Sequence, residues 1–180
     1  MAIEDLLNQY KSGTLDLADA LTGIRAHYFE DIGHTIIDHD RKRRTGAGEV
    51  IFGEGKSADQ IADIISSLQA KNSNILVTRL HPDKYAALTD LPQNASYHSN
   101  AQLLSWHAQP PQSPSTSIAV VTAGTSDINV AEEAALTAEF FGNPVTRIFD
   151  VGVAGLHRLL SRLDDLREAR VLIVVAGMEG

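Results

Sequence analysis

The chain of 180 residues contains no cysteine. No disulfide, thiolate nucleophile or sulfur metal site can therefore be built from it. Long apolar runs are also missing. The opening "MAIEDLLNQYKSG" mixes acids with its apolar residues and has no basic leader, so it does not read as a signal peptide, and no stretch is long enough to span a bilayer. The expected location is the cytoplasm. Positive charge is in deficit, with 15 Lys and Arg against 23 Asp and Glu and a formal net charge of −8. That balance repels nucleic acid and anionic membranes unless a local basic patch overcomes it. What remains, 43% apolar and 21% charged residues, describes a globular chain with room for one domain or two small ones.

Ile3, Leu6, Leu7 and Tyr10 share one helical face before Gly13, and a second helix is expected over residues 16–24. "EVIFG", then "SADQIADIISSLQAK" with Ile61, Ile64, Ile65 and Leu68 at helical spacing, then "NILVTR" read as one β-α-β unit. A short helix over residues 83–88 and a strand at "ASYH" complete a small mixed α/β lobe, residues 1–108. Residues 109–117, "QPPQSPSTS", have the composition of an extended connector. Beyond it, residues 118–180 read as strand "SIAVVTA", a helix over residues 129–141 with Ala131, Ala134, Ala138 and Phe141 on one stripe, and strand "VTRIFDV". A helix with Leu156, Leu159, Leu160 and Leu163 on one face and strand "RVLIVVAGMEG" follow. Gly142 stands where a left-handed residue ends a helix, with Pro144 after it. Strands that are continuous apolar runs imply a parallel sheet covered on both faces. Three such strands leave bare edges and an uncovered face, so either a partner chain covers the domain or it is incomplete after its third strand; the uncovered sheet favours a homo-oligomer.

In an open parallel sheet the ligand crevice lies beyond the carboxyl ends of the strands. With strand order 2-1-3, the turns after the first and third strands, "AGTSD" and "AGMEG", flank it. Both are small-residue turns, and they put Asp127 and Glu179 at the rim. Thr122, Gly124, Thr125 and Ser126 lead into a helix N-terminus, where free N–H groups favour an anion. The plainer reading is an N-cap at Ser126 or Asp127. "FDVGVAGLHR" adds Asp150, Gly152 and His157 at the end of the second strand. His157 reads either as an exposed residue of a first helical turn or as a group that bonds phosphate or shuttles a proton.

"VTAGTSDINVAEEAALTAEFFG", "RIFDVGVAGLHRLL" and "VLIVVAGMEG", with "DHDRKRRTGAGEVIFGEGKS" and "ILVTRL" upstream, closely resemble the LarB family, the pyridinium-3,5-biscarboxylic acid mononucleotide synthases of nickel-pincer nucleotide biosynthesis. The resemblance covers most of the chain. It implies a PurE-like, flavodoxin-like, doubly wound parallel three-layer domain after the N-terminal lobe. It also implies a reaction: nicotinic acid adenine dinucleotide is carboxylated at C5 of its pyridinium ring, and its phosphoanhydride is hydrolysed to release AMP. Carbon dioxide or bicarbonate is then the co-substrate, no cofactor is tightly bound, and Mg2+ is a candidate ion at the anhydride. An electron-poor ring does not attack carbon dioxide until a nucleophile has added to C4. In the family a cysteine does this, and it lies in a part that follows "AGMEG". The chain is therefore expected to be a truncated form with impaired carboxylation. The resemblance calls for a base at C5, and Glu179 is preferred over Asp127.

"DHDRKRRTG" is the local basic patch. Its plain reading is a solvated loop. Without interleaved aromatics it does not read as a nucleic-acid site. A dinucleotide, however, brings two phosphates and a ring carboxylate, which suit guanidinium groups and a lysine. Arg41 and Arg44 coincide with the family's "DxxRxxR" spacing, and Glu49 and Lys56 follow. Arg41, Arg44 and Lys56 are expected to hold the anionic parts of the substrate, and Asp40 to orient an arginine or a magnesium ion. "GEGKS" is too short for a phosphate-binding P-loop. Two other readings stand beside this one: a PurE-like aminoimidazole ribonucleotide carboxylase or mutase, and a nucleotide-binding or assembly module without chemistry.

Overall fold

The computed structural model describes residues 2–178. Helices α1 (Ile3–Lys11) and α2 (Leu17–Tyr28) pack as a hairpin. Leu6 is buried over Gly23, where a Cβ would stand 2.8 Å from Leu6 Cδ2. Helix α2 starts where Asp16 accepts from the Asp19 N–H at 2.8 Å. It runs past residue 24, straight into strand β1 (Phe29–Asp31), because no breaker intervenes. Strand β1 pairs antiparallel with β2 (Ile36–Asp38), a hairpin too short to leave a sequence pattern. The basic segment is not an open loop. It forms a short helix, α3 (Arg41–Thr45), ended by Gly46 at φ +80°.

Strand β3 (Ile51–Phe52), helix α4 (Ala58–Ala70) and strand β4 (Ile75–Thr78) are the expected β-α-β unit, with the two strands parallel. Ser57 and Gln60 cap α4 reciprocally, satisfying two free N–H groups at its start. Ile61, Ile64, Ile65 and Leu68 of α4 are buried with Ile75 and Val77. Helix α5 (Pro82–Ala87) and strands β5 (Ser96–His98) and β6 (Leu103–Trp106) complete a sheet of order β3-β4-β6-β5. Strand β6 was not expected: it lies between β4 and β5, antiparallel to both.

Residues 107–117 contain no helix or strand. Strand β7 (Ile118–Thr122), helix α6 (Ile128–Phe140), strand β8 (Val145–Ile148), helices α7 (Leu156–Leu160) and α8 (Leu163–Glu168), and strand β9 (Val171–Val175) then form a three-stranded parallel sheet of order β8-β7-β9. This is the 2-1-3 order of a flavodoxin-like sheet. Helix α6 covers one face, where Val120 meets Ala131 and Ala135. Leu159 and Leu166 cover the other at Ala119, Val121 and Ile148. The single leucine-faced helix expected after β8 is two. The chain turns at Ser161 and Arg162, whose N–H groups bond His157 O and Leu159 O, so Leu163 starts a new helix.

The alanine stripe of α6 is also displaced. Ala131, Ala135, Ala138 and Phe140 are buried, whereas Ala134 and Phe141 are partly exposed. The cause is that α6 has two neighbours. Its alanines pack on the C-terminal sheet, and Phe140 packs with Leu76, Ala101 and Leu103 of the N-terminal lobe. Two polar contacts reinforce this seam, Arg79 Nε to Glu133 Oε2 at 2.8 Å and His107 Nε2 to Phe140 O at 2.9 Å, while Asn74 and Gln109 bond each other in both directions at 2.9 Å and hold the start of the connector to the N-terminal lobe. Gly142 ends α6 at φ +91°, where a Cβ would meet Gln112 O at 2.4 Å.

Candidate functional site

The first group of residues gathers at the carboxyl end of the parallel sheet. Thr122 is fully buried, and its Oγ1 accepts from the Asp150 N–H at 2.9 Å. Asp150 takes φ +58°, a conformation that favours glycine or a short polar side chain, and so turns the chain sharply out of β8. The N–H groups of Val151 and Gly152 then bond Thr122 O and Ala123 O at 3.0 and 2.8 Å. A Cβ on Gly152 would lie 2.6 Å from Ala123 O, so glycine is needed for the two turns to touch. On the other side the Ala123 N–H bonds Val175 O at 3.2 Å. The turn after β8 thus packs on the turn after β7, which also bonds the last residue of β9, as the strand order requires.

Within the first turn, Asp127 Oδ2 accepts from the Gly124 N–H at 3.0 Å. Thr125 and Ser126 are exposed on a 3-10 turn that runs directly into α6. Asp127 makes no capping bond to α6, and neither does Ser126. Gly124 is extended at φ −129°, with 3.7 Å of clearance around a Cβ, so its turn does not demand glycine. His157 is exposed on the first turn of α7. Arg158, which the sequence reading passed over, donates from Nη1 to Asp150 Oδ2 at 2.5 Å. It lies eight residues from Asp150 across a glycine-rich turn, a spacing that follows no helical or strand period. Glu179 lies outside the described residues.

The second group surrounds α3. Asp40 accepts from Arg43 Nε and Nη2 at 2.7 and 3.1 Å, and Arg44 Nε lies 3.5 Å from it. Arg43 holds its carboxyl below the usual carboxylate range. Arg44 also pairs with Asp38. Arg41 Nη1 is 3.8 Å from Glu49 Oε2. Burial pushes the Glu49 carboxyl up, with Arg41 and Lys56 opposing. Asp40 thus orients arginines, and all three arginines of α3 have acidic partners.

Asp38, Lys42 and Glu49 line a cleft of about 660 Å3 whose other walls include Asn72, the connector prolines and Phe141. That volume suits a nucleotide-sized ligand. The cleft and the crevice are not together in one chain. Phe140 and Phe141, at the C-terminal end of α6, belong to the cleft, and Gly124 and Asp127 stand at its N-terminal end. Thirteen helical residues separate them, about 20 Å. The described residues hold no group of three or more His, Asp or Glu arranged to bind a metal ion, and no helix among them is long and apolar enough to cross a membrane.

Comparisons with known proteins reach both groups. Residues 29–109, which carry α3 and most of the cleft, match the LarB/PurE-like N-terminal domain family. The uncharacterized protein MJ0165 of Methanocaldococcus jannaschii is 34% identical over 187 aligned positions, covering 99% of this chain and 73% of that protein. With the family domain over the N-terminal lobe and a parallel 2-1-3 sheet after it, the chain belongs to the LarB family.

Proposed function

We propose that the chain serves the LarB reaction: nicotinic acid adenine dinucleotide and carbon dioxide or bicarbonate give pyridinium-3,5-biscarboxylic acid mononucleotide and AMP. The observation that carries this is the meeting of the turns after β7 and β8 at the end of the parallel sheet, beside the last residue of β9 and next to the open N-terminus of α6. Such an end accepts an anion through free N–H groups and the positive end of the helix dipole. The pyridinium mononucleotide half belongs in this crevice, with Glu179 preferred over Asp127 as the base at C5. Arg41, Arg44 and Lys56 hold anionic parts of the substrate. Their separation from the crevice favours a site assembled between copies of the chain, so that the arginines of one subunit face the turns of another.

In the anhydride step a water oxygen attacks phosphorus, the bridging P–O bond breaks, and two phosphate monoesters form. The water's protons pass to solvent. The 180 residues hold no thiol, so carboxylation needs one from elsewhere. Binding and anhydride cleavage are the parts these residues can perform.

The test is calorimetric titration with nicotinic acid adenine dinucleotide, together with chromatographic detection of AMP, with and without Mg2+. Removing a charge-assisted contact through Arg44→Ala should weaken binding and AMP release at least about tenfold. Binding of an aminoimidazole ribonucleotide but not of the nicotinate dinucleotide would transfer the chain to the PurE-like reading.

A further inference from the structure

The hairpin of α1 and α2 buries little of what its sequence offers. The two helices pack on each other, and they are tied to the lobe where α2 runs into β1 and where Lys71 Nζ donates to Ala26 O at 3.4 Å. Their buried residues are Leu6 and Ala20, and neither joins the apolar core of a sheet. At nine and twelve residues, both helices are at or below the about 12–15 residues under which an isolated helix is marginal in water. Their order therefore depends on packing an apolar face.

That face is largely uncovered. Leu7 and Tyr10 of α1 and Leu17, Leu21 and Tyr28 of α2 are each between 38% and 54% exposed. At about 100° per residue, Ile3, Leu7 and Tyr10 fall within about 60° of one another, and so do Leu17, Leu21, Ile24 and Tyr28. Counted from the place where Leu6 lies over Gly23, both stripes turn to the same side of an antiparallel hairpin, with Asp5, Gln9, Asp19 and Thr22 on the other. The same contact brings Leu7 close to the level of Leu21.

Charge and area say what covers it. Glu4 and Lys11 are two helical turns apart, on one line beside Leu7, with the acid at the start of α1 and the base at its end. A two-fold axis passing Leu7 and Leu21 sets a second α1 antiparallel to the first and lays Glu4 against Lys11 twice. A rim whose sign changes from end to end fits itself better than a surface of one charge. At about 200 Å2 for a large side chain, the five exposed residues leave roughly 450 Å2 per copy, and two copies with their rims bury about 1,000 Å2, the size at which a specific interface begins.

We propose that the α1–α2 hairpin is a self-association surface, through which two copies of this chain form an antiparallel four-helix bundle with Leu7 and Leu21 at the two-fold axis. The pairing uses neither the parallel sheet nor the basic motif, and it stands whichever reaction the chain serves.

The test is sedimentation equilibrium of the full chain over a dilution series. The parent is expected to form pairs, or a larger particle built from them, and Leu21→Glu, at an exposed position, to halve the particle's mass. Glu4→Lys and Lys11→Glu each set two like-charge contacts in the pair and should weaken it by about tenfold. The helix dipole opposes both exchanges, so an effect confined to α1 would make the double exchange weaker than either single one. A contact across the pair makes it tighter than both. Where Leu21→Glu fails to fold, the charge exchanges decide alone. A monomeric parent, which leaves the face to a different protein, overturns the proposal. So does a Leu21→Glu particle of parental mass, or a double exchange weaker than either single one.

Discussion

Phe140 is where the two sheets depend on each other. It is 6% exposed. It stacks on His107 with ring centres 4.5 Å apart, meets Phe141 edge-on at 5.2 Å, and is buried with Leu76, Ala101 and Leu103. Truncating a buried phenylalanine costs about 3–5 kcal/mol, from lost transfer energy and from the cavity left behind. Domains are stable by only about 5–15 kcal/mol, so Phe140→Ala removes about a fifth or more of the total. The assay is urea unfolding followed by two probes. Fluorescence of Trp106, in β6, reports on the N-terminal sheet, and far-UV circular dichroism reports on both. With a urea dependence of about 2–3 kcal/mol/M for a chain of this size, the midpoint should fall by about 1–2 M on both probes together. Phe141→Ala, at a half-exposed position, should move it much less. If the Phe140 variant instead loses only the Trp106 signal early while most helix persists to the original midpoint, α6 does not couple the sheets, and the seam argued above is wrong.

Two further outcomes follow from single contacts. Gly152→Ala puts a Cβ 2.6 Å from a main-chain oxygen and should cost about 1–3 kcal/mol through overpacking, lowering the melting temperature by several degrees in differential scanning calorimetry; Gly124→Ala should fall within about 0.5 kcal/mol of the parent, and equal effects would contradict the packing described between the turns. Because the Glu30 carboxyl is lowered from the ordinary value of 4.5, its ionised form stabilises the fold above that pH, and the contribution disappears as pH falls through the lowered value. The stability difference between the parent and Glu30→Gln should therefore be constant above pH of about 5 and shrink below it. With Glu30 40% exposed the effect stays under about 1 kcal/mol, and a difference that grows on acidification would reverse the assignment of charge.

The candidate site was legible where chemistry and backbone coincide in one short stretch. "AGTSD" and "FDVGVAGLHR" announced turns at strand ends, and those turns meet as their strand order demands. Arg158 was not read as the partner of Asp150, because an ion pair across a glycine-rich turn leaves no local pattern. The cluster in which Glu30 Oε2 meets His39 Nε2 and Ser67 Oγ was out of reach for the same reason. Its members lie 9 and 37 positions apart, and none is unusual where it stands.

Periodicity determined the helices α1, α4 and α6, the β-α-β unit and the parallel character of the last three strands, because each rests on interactions within a few residues or on burial that hydropathy records directly. Tertiary structure decided what depended on two neighbours at once. Ala135 and Phe140 are buried because α6 lies between two sheets, a fact that one helical stripe cannot encode. The same helix sets the basic motif and the crevice at its opposite ends, and that distance, invisible in the spacing of residues along the chain, is what makes a second copy part of the functional argument.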